Sequence, residues 1–351
     1  MDYAGLDVRN IRYPINRPLT EEERENEFSR ATRLDIEPNN YLSIIKCNST
    51  FMELVDRWYS IKGFNVWLGA MTGAILLWLV SLVMWAMLFD TGKLDPDEWW
   101  VPWVGWGVLI PMGLFFLSGS VWLVRSECFR WTHYPMRLNR KTRQVHVFRQ
   151  DGTVLTTPWD DLFIVLANST TPPIGKTFDL RAHVLAEDRQ TVLESFSLGY
   201  VLTGDEDSTR KLWEFIRRYM EEPDGVGQAF EQLGPLDPCL PLDGRKEGWG
   251  WGIFRTLATS IHWPLLQLVS SLVFSWVALG RGVAMITSKQ PQWPAEVEAA
   301  NAVEPNDPYQ RNWRGNPPLT AWQKYWTAFC FVAGIIGSSW ILWWVIRSAS
   351  E

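Results

Sequence analysis

Residues 64–89, FNVWLGAMTGAILLWLVSLVMWAMLF, and residues 99–124, WWVPWVGWGVLIPMGLFFLSGSVWLV, each run without an aspartate, glutamate, lysine or arginine. Hydrocarbon offers no partner to an open backbone, so a stretch of this kind closes its hydrogen bonds as a helix. About 20 apolar residues at about 1.5 Å rise suffice to cross a bilayer. Two further uncharged stretches, 256–280 and 325–346, follow a polar region that begins at Arg125. The layout is that of a polytopic membrane protein with about four transmembrane helices in two hairpins.

Mean hydropathy is only −0.10, so strongly polar segments must offset the four apolar ones. A net charge of −6 argues against nucleic acid as a partner, because such a surface needs a clustered basic face. Cys47, Cys128, Cys239 and Cys330 lie far apart, without the close pairs that build zinc or redox sites. Residues 1–63 are polar and carry the run Glu21-Glu22-Glu23-Arg24-Glu25, so the first apolar stretch is expected to act as its own uncleaved insertion signal.

Many of the 23 tryptophans sit at the ends of the apolar stretches. Trp99, Trp100 and Trp103 begin the second, Trp322 and Trp326 flank the start of the fourth, and Trp343 and Trp344 close it. An indole has an apolar body and an N–H that prefers the headgroup level, so these residues read as interface anchors. The turn at 90–98 holds four carboxylates against Lys93, whereas Arg125, Arg130, Arg137, Arg140, Lys141 and Arg143 come after the second stretch. Positive charge beside a span is retained in the cytosol, which places the N-terminus and the central region there.

In residues 1–63, Thr20 and Glu23 form a capping-box pattern that predicts a helix over 21–33. Met52, Leu54, Val55, Trp58 and Tyr59 suggest a second, amphipathic helix along the membrane face. The central region has β character. Val145 and Val147 alternate, Asp151-Gly152 marks a turn, and extended runs recur at 154–155, 162–166, 178–186 and 190–196. Leu212, Phe215, Ile216 and Tyr219 then recur at helical spacing, with Arg210, Lys211, Arg217 and Arg218 on the remaining face.

This order resembles the bacterial pleckstrin-homology-like domains that follow a two-helix membrane hairpin. The resemblance rests on Met136–Arg140, Arg143–Arg149, Pro158–Leu162 and Leu212–Met220, and covers 134–222. It implies an inserted α+β cytoplasmic domain, an antiparallel barrel capped by its C-terminal helix. A second likeness, carried by residues 213–223 (WEFIRRYMEEP) and the Trp/Pro/Asn-rich segment before the last apolar stretch, is to a proteobacterial membrane family encoded near type VI secretion and Rhs-type toxin loci. It implies a setting in interbacterial antagonism, with a toxin or secretion component as protein partner.

Four prolines punctuate a linker over 223–255. His262, Pro264 and Gln267 interrupt 256–280, so an interfacial or re-entrant course stands beside a crossing. If that segment crosses, 282–324 is an irregular external loop and both chain ends are cytosolic. No catalytic, cofactor or metal constellation emerges. Asp160-Asp161 and Asp205-Glu206-Asp207 read as turn and cap residues, and His133, His146, His183 and His262 share no ligand spacing. The strongest charge cluster, Arg137, Arg140, Lys141, Arg143 and Arg149, offers contacts to anionic headgroups or a partner, or simply enforces topology. The resulting expectation is an inner-membrane accessory or immunity-type protein that binds a partner through its cytoplasmic module. The alternative is a membrane-inserting effector.

Overall fold

The computed structural model describes residues 14–89, 100–171, 175–200, 202–203, 206–233, 237–258 and 263–350. The chain begins with β1 (Arg17–Pro18), α1 (Glu21–Glu25), β2 (Ile44–Cys47), β3 (Phe51–Leu54) and the long helices α2 (Phe64–Phe89) and α3 (Val101–Glu127). A strand-rich stretch comes next: β4 (Met136–Asn139), β5 (Gln144–Phe148), β6 (Val154–Pro158), β7 (Leu162–Thr171), β8 (Gly175–Leu185), β9 (Thr191–Ser197) and β10 (Leu202–Thr203). Then come α4 (Glu206–Glu221), α5 (Gly225–Gln232), α6 (Trp249–Leu257), α7 (Pro264–Thr287), α8 (Ala295–Ala300), β11 (Arg311–Asn312) and α9 (Ala321–Ser350). Two compact units result, one from Met1–Ile61, Trp131–Arg255 and Lys289–Ala328, the other from Lys62–Arg130, Thr256–Ser288 and Phe329–Glu351.

The first unit contains two antiparallel sheets. One has the order β11-β2-β3-β4-β5-β6; in the other, β8 pairs with β7, β9 and β10, and β1 joins outside β9. Among the described residues these strands do not close into the single barrel expected from the sequence. The reason lies at the corner after β6. Pro158 has no N–H to continue a ladder, and a 3-10 turn over Trp159–Asp161 carries the chain into the other sheet. The β5–β6 hairpin, in contrast, forms where the alternation and the Asp151-Gly152 signal place it, with Gly152 at φ +88°, and β4 pairs with β5.

Helix α4 covers the core shared by both sheets. It buries Leu212, Trp213, Phe215, Ile216, Tyr219 and Met220 among residues such as Leu54, Leu138, Val147 and Leu180. Trp213 stacks on Phe28 at 5.3 Å and on Trp159 at 6.1 Å between ring centroids. The helix begins at Glu206, earlier than the apolar spacing indicates; Asp205 lies outside the described residues.

Three segments differ from their sequence reading. The capping box of Thr20 and Glu23 forms, yet α1 stops at Glu25 because Asn26 and Phe28 turn to β-type pairing along β7. Residues 51–54 are a strand and not an amphipathic helix, since β3 lies between β2 and β4 and buries both faces. A short continuous apolar run carries no period that separates these two states. Finally, residues 289–324 are built into the first unit: Arg311 and Asn312 of β11 pair with Cys47 and Lys46. Asp307 accepts the Ser49 N–H at 2.7 Å, and Asn139 donates to Asn301 at 3.0 Å. Polar clamps hold this segment, so no apolar stripe announces it.

In the second unit, α2, α3, α7 and α9 are long and apolar enough to cross a membrane. α2 and α3 run antiparallel: Asn65 donates to Ser126 at 3.1 Å, and Thr72 meets Ser120 at 3.1 Å. Gly69 lets the backbones close, because a Cβ there would lie 2.6 Å from the Ser120 carbonyl oxygen. The Glu127 carboxylate accepts the Gly63 N–H at 2.8 Å and the Val66 N–H at 3.3 Å, capping the first turn of α2 from the end of α3. α7 is the most enclosed and least apolar of the four, with Gln267, Ser271, Ser275 and Arg281 buried along it. It packs on α9 through the Gly334 backbone and a 2.8 Å bond from Trp276 Nε1 to Ser338.

Candidate binding cleft and basic residues

The five basic residues singled out by the sequence all have partners within the first unit. Arg137, 1 % exposed on β4, donates to Glu53 at 2.5 Å and to Glu298 at 2.8 Å, and its guanidinium lies over Phe51 and Trp293. Arg140 donates to the Tyr219 and Glu222 carbonyls, closing the C-terminal end of α4 where the helix dipole is negative. Arg143 forms a two-point pair with Asp160 and reaches Glu221 at 2.9 Å; its guanidinium holds the Asp160 carboxyl below the usual range. Lys141 pairs with Glu304 and Arg149 with Glu194, each at 2.6 Å. The positive charge that crowds together in the sequence is answered by carboxylates and carbonyls from distant segments.

The remaining polar candidates are similarly engaged. His183 is fully buried, accepting from Ser195 at 2.8 Å in the tautomer that leaves its Nε2–H facing Glu23 at 3.3 Å. Burial pushes this imidazole pKa down, so the ring is neutral at pH 7. Serine, histidine and glutamate adjoin here in hydrolase-like order, but Ser195 is 1 % exposed in the sheet and Arg17 grips Glu23, so the trio fastens the N-terminal strap. His146 bonds Thr156, and His133 is buried beside Thr132. His262 and Trp99 lie outside the described residues. Trp100 and Trp103 are exposed at the start of α3, and Trp343 and Trp344 are exposed near the end of α9. Trp322 stacks on Trp326 at 4.9 Å in the first turns of α9. Among the described residues no three histidines, cysteines or carboxylates gather as a metal site.

A cleft of about 380 Å³ opens elsewhere in the first unit, between the 238–254 stretch and residues 313–323. The sequence reads as a Pro/Gly linker over the first stretch, with Gly248–Gly252 as an interfacial Trp/Gly entry to the next helix, and as an irregular loop over the second, whose Trp313 and Trp322 could pack on the membrane or on a partner. A reciprocal amide clamp joins them: Asn316 accepts the Cys239 N–H at 2.9 Å and donates to the Cys239 carbonyl at 2.6 Å. Asp243 is a second tie, taking Lys46 at 3.0 Å and Arg314 at 3.2 Å while its carbonyl accepts Trp313 Nε1–H. Burial pushes the neighbouring Cys239 thiol up to about 12, so it stays protonated and packs as a small apolar group.

The walls are apolar and stiff. Pro238, Pro241, Trp251, Phe254, Pro318 and Leu319 line them, and the polar rim is supplied by Arg245 and Gln323. The Arg245 guanidinium lies over the Trp313 ring at 4.6 Å. Its Nε donates to the Lys246 carbonyl at 3.2 Å, and its terminal nitrogens have no partner among the described residues. Gln323 spends its Oε1 and backbone N–H on a capping box with Thr320, which leaves the Nε2 donors without a partner there. The nearest carboxylates are already taken: Asp243 by Lys46 and Arg314, Glu247 by the Tyr59 hydroxyl. Sequence reasoning overlooked this site; the Pro and Trp density of 238–251 and 313–322 was its one signal.

A family model described as a family of unknown function, DUF6708, matches residues 114–305. No curated protein and no solved structure matches the chain.

Proposed function

The chain belongs to the DUF6708 family, and from that premise and the cleft geometry we propose that it is a membrane-anchored binding protein. The preformed cleft carries this reading: it pairs rigid aromatic and proline walls with a few uncommitted donors, the usual make-up of a recognition site. The sequence resemblance makes a pleckstrin-homology-like module the recognition domain; what accompanies it in the fold is a run of antiparallel strands followed by α4, in sheets that also take β2, β3 and β11 from outside 134–222. Its chemistry is binding, and the protein partner is assigned to this sheet module, none of whose residues 136–221 line the cleft. The setting implied by the sequence resemblance is an immunity-type or adaptor role at a type VI secretion toxin locus in a bacterial inner membrane.

The basic residues after α3 support a cytosolic sheet unit. Chain connectivity adds a constraint. A bilayer does not thread a unit with one continuous core, so Trp131–Arg255 and Lys289–Ala328 share one face of the membrane. The stretch between them therefore leaves and returns on that face, and α7 is interfacial or re-entrant in this reading. α2 and α3 supply two crossings and α9 a third, which sends the C-terminus to the opposite face.

Affinity purification of the full chain from detergent, with the product of a neighbouring toxin gene co-expressed, tests the function. Co-purification together with protection of cells making that toxin is the expected outcome. Failure of both overturns the immunity reading, and poisoning of a host by the chain alone would mark it as an effector.

A further inference from the structure

We propose that the cleft walled by Trp251, Phe254 and Trp313 holds the phosphate of an anionic phospholipid headgroup. The inference rests on the membrane-anchored reading only in taking α9 to enter the bilayer.

Among the described residues, the side-chain polar groups that remain unspent around the cleft are donors: the terminal nitrogens of Arg245, the Nε2 of Gln323 and the buried Nε1 of Trp251. A rim of donors, with Asp243 paired to Lys46 and Arg314 and Glu247 accepting from the Tyr59 hydroxyl, suits an acceptor-rich anion, and a guanidinium presents the fork geometry that fits phosphate oxygens. The Trp313 ring, 4.6 Å from the guanidinium, holds that fork over its face before any ligand arrives. The floor is made of proline rings, Leu42 and Leu319, which suit the glycerol and first methylenes of a lipid better than a hydrated inorganic ion.

Depth in the membrane favours the same ligand. Gln323 lies in the first turn of α9, a helix long and apolar enough to span, and the stacked Trp322–Trp326 pair flanks it. Tryptophans at the start of a span mark the headgroup level, so the rim of the cleft lies where lipid phosphates are most concentrated. A volume of about 380 Å³ accommodates a headgroup while the acyl chains stay in the bilayer. The five basic residues of the 137–149 cluster are committed to internal pairs, which leaves Arg245 as the better-placed cation for a lipid.

The test uses the full chain purified in neutral detergent and titrated with mixed micelles of phosphatidylglycerol or phosphatidylcholine, read by native mass spectrometry and by thermal shift. Saturable phosphatidylglycerol binding, absent for phosphatidylcholine, is expected. Arg245→Gln should weaken it roughly tenfold or more without changing the lipid-free melting temperature, as fits the loss of a charge-assisted bond. Arg245→Lys should recover part of the affinity, and Lys324→Gln, which removes an exposed charge on the same helix outside the cleft, should leave it unchanged. Equal binding by wild type and Arg245→Gln overturns the proposal, as does an equal loss in Lys324→Gln, which would mean diffuse interfacial charge. Glycerol 3-phosphate saturating the site as tightly as the lipid would reassign it to a soluble phosphate compound. Membrane fractionation of each variant reports anchoring separately, so loss of the lipid site is distinguishable from failure of the membrane reading.

Discussion

Arg137 and Lys141 sit four residues apart in one basic cluster, and their chemistry diverges through burial alone. The Arg137 guanidinium is enclosed between Phe51 and Trp293 and neutralises the buried Glu53, whereas Lys141 and Glu304 meet in solvent. Removing one member of a buried pair leaves the other charge desolvated and alone, which costs about 3–5 kcal/mol, while an exposed pair contributes about 0–1 kcal/mol. Arg137→Gln should therefore lower the melting temperature of the detergent-solubilised protein sharply, and Lys141→Gln should leave it nearly unchanged. Similar melting of the two variants would contradict this division. The sequence cannot separate them, because the partners that decide the matter, Glu53, Glu298 and Glu304, come from segments more than 80 residues away. Arg245 is invisible in the sequence for the same reason: its importance comes from Trp313 and the Asn316 clamp, not from any local motif.

Elements were legible where one physical signal dominates a long stretch. Uncharged apolar length is enough for α2 and α3, and the amphipathic spacing of Leu212, Phe215, Ile216 and Tyr219 is enough for α4. Period-two alternation with a turn signal likewise marks β5 and β6. Legibility fails for β3, where both faces are buried, and for β11, whose two residues find their place only against Cys47 and Lys46. Close helix packing is a feature that only the structure brings out, at Gly69 and Gly73. A Cβ at position 69 would meet the Ser120 carbonyl at 2.6 Å, whereas one at position 73 would touch the movable Ser120 side chain at 3.4 Å. Gly69→Ala should destabilise the α2–α3 hairpin by about 1–3 kcal/mol as overpacking. Gly73→Ala should be neutral or slightly stabilising, since alanine gains about 1 kcal/mol of helix propensity over glycine. Thermal unfolding in detergent, with disulfide trapping between Asn65→Cys and Ser126→Cys as a proximity reading, checks both; an equal response of the two glycine variants would refute the assigned contact.

At the scale of the whole chain, reading four apolar stretches as four crossings puts both ends on one face and residues 282–324 on the other. The assembly of the sheet unit opposes that arithmetic. β11 pairs with β2, Asn301 with Asn139, and Glu298 with Arg137, so residues 289–328 belong to one compact unit with the N-terminal and central segments, which the proposed topology puts on one face. α7 is also the helix whose polar residues are most enclosed by protein, which suits a segment that does not face lipid all round. The two arrangements make opposite statements about single positions. All four native cysteines are buried, so introduced thiols report against a low background. Glu25→Cys, Glu296→Cys and Ser348→Cys place one exposed thiol each on α1, α8 and the end of α9. With a membrane-impermeant maleimide applied to intact spheroplasts, the Ser348→Cys protein should be labelled directly. The other two should react only after the membrane is permeabilised. Labelling of Glu296→Cys from outside while Glu25→Cys and Ser348→Cys stay protected would restore the four-crossing arrangement and require the β2–β11 pairing to be wrong. A reversed insertion of the whole molecule would instead expose Glu25→Cys and Glu296→Cys together, so the fold itself demands only that those two positions behave alike.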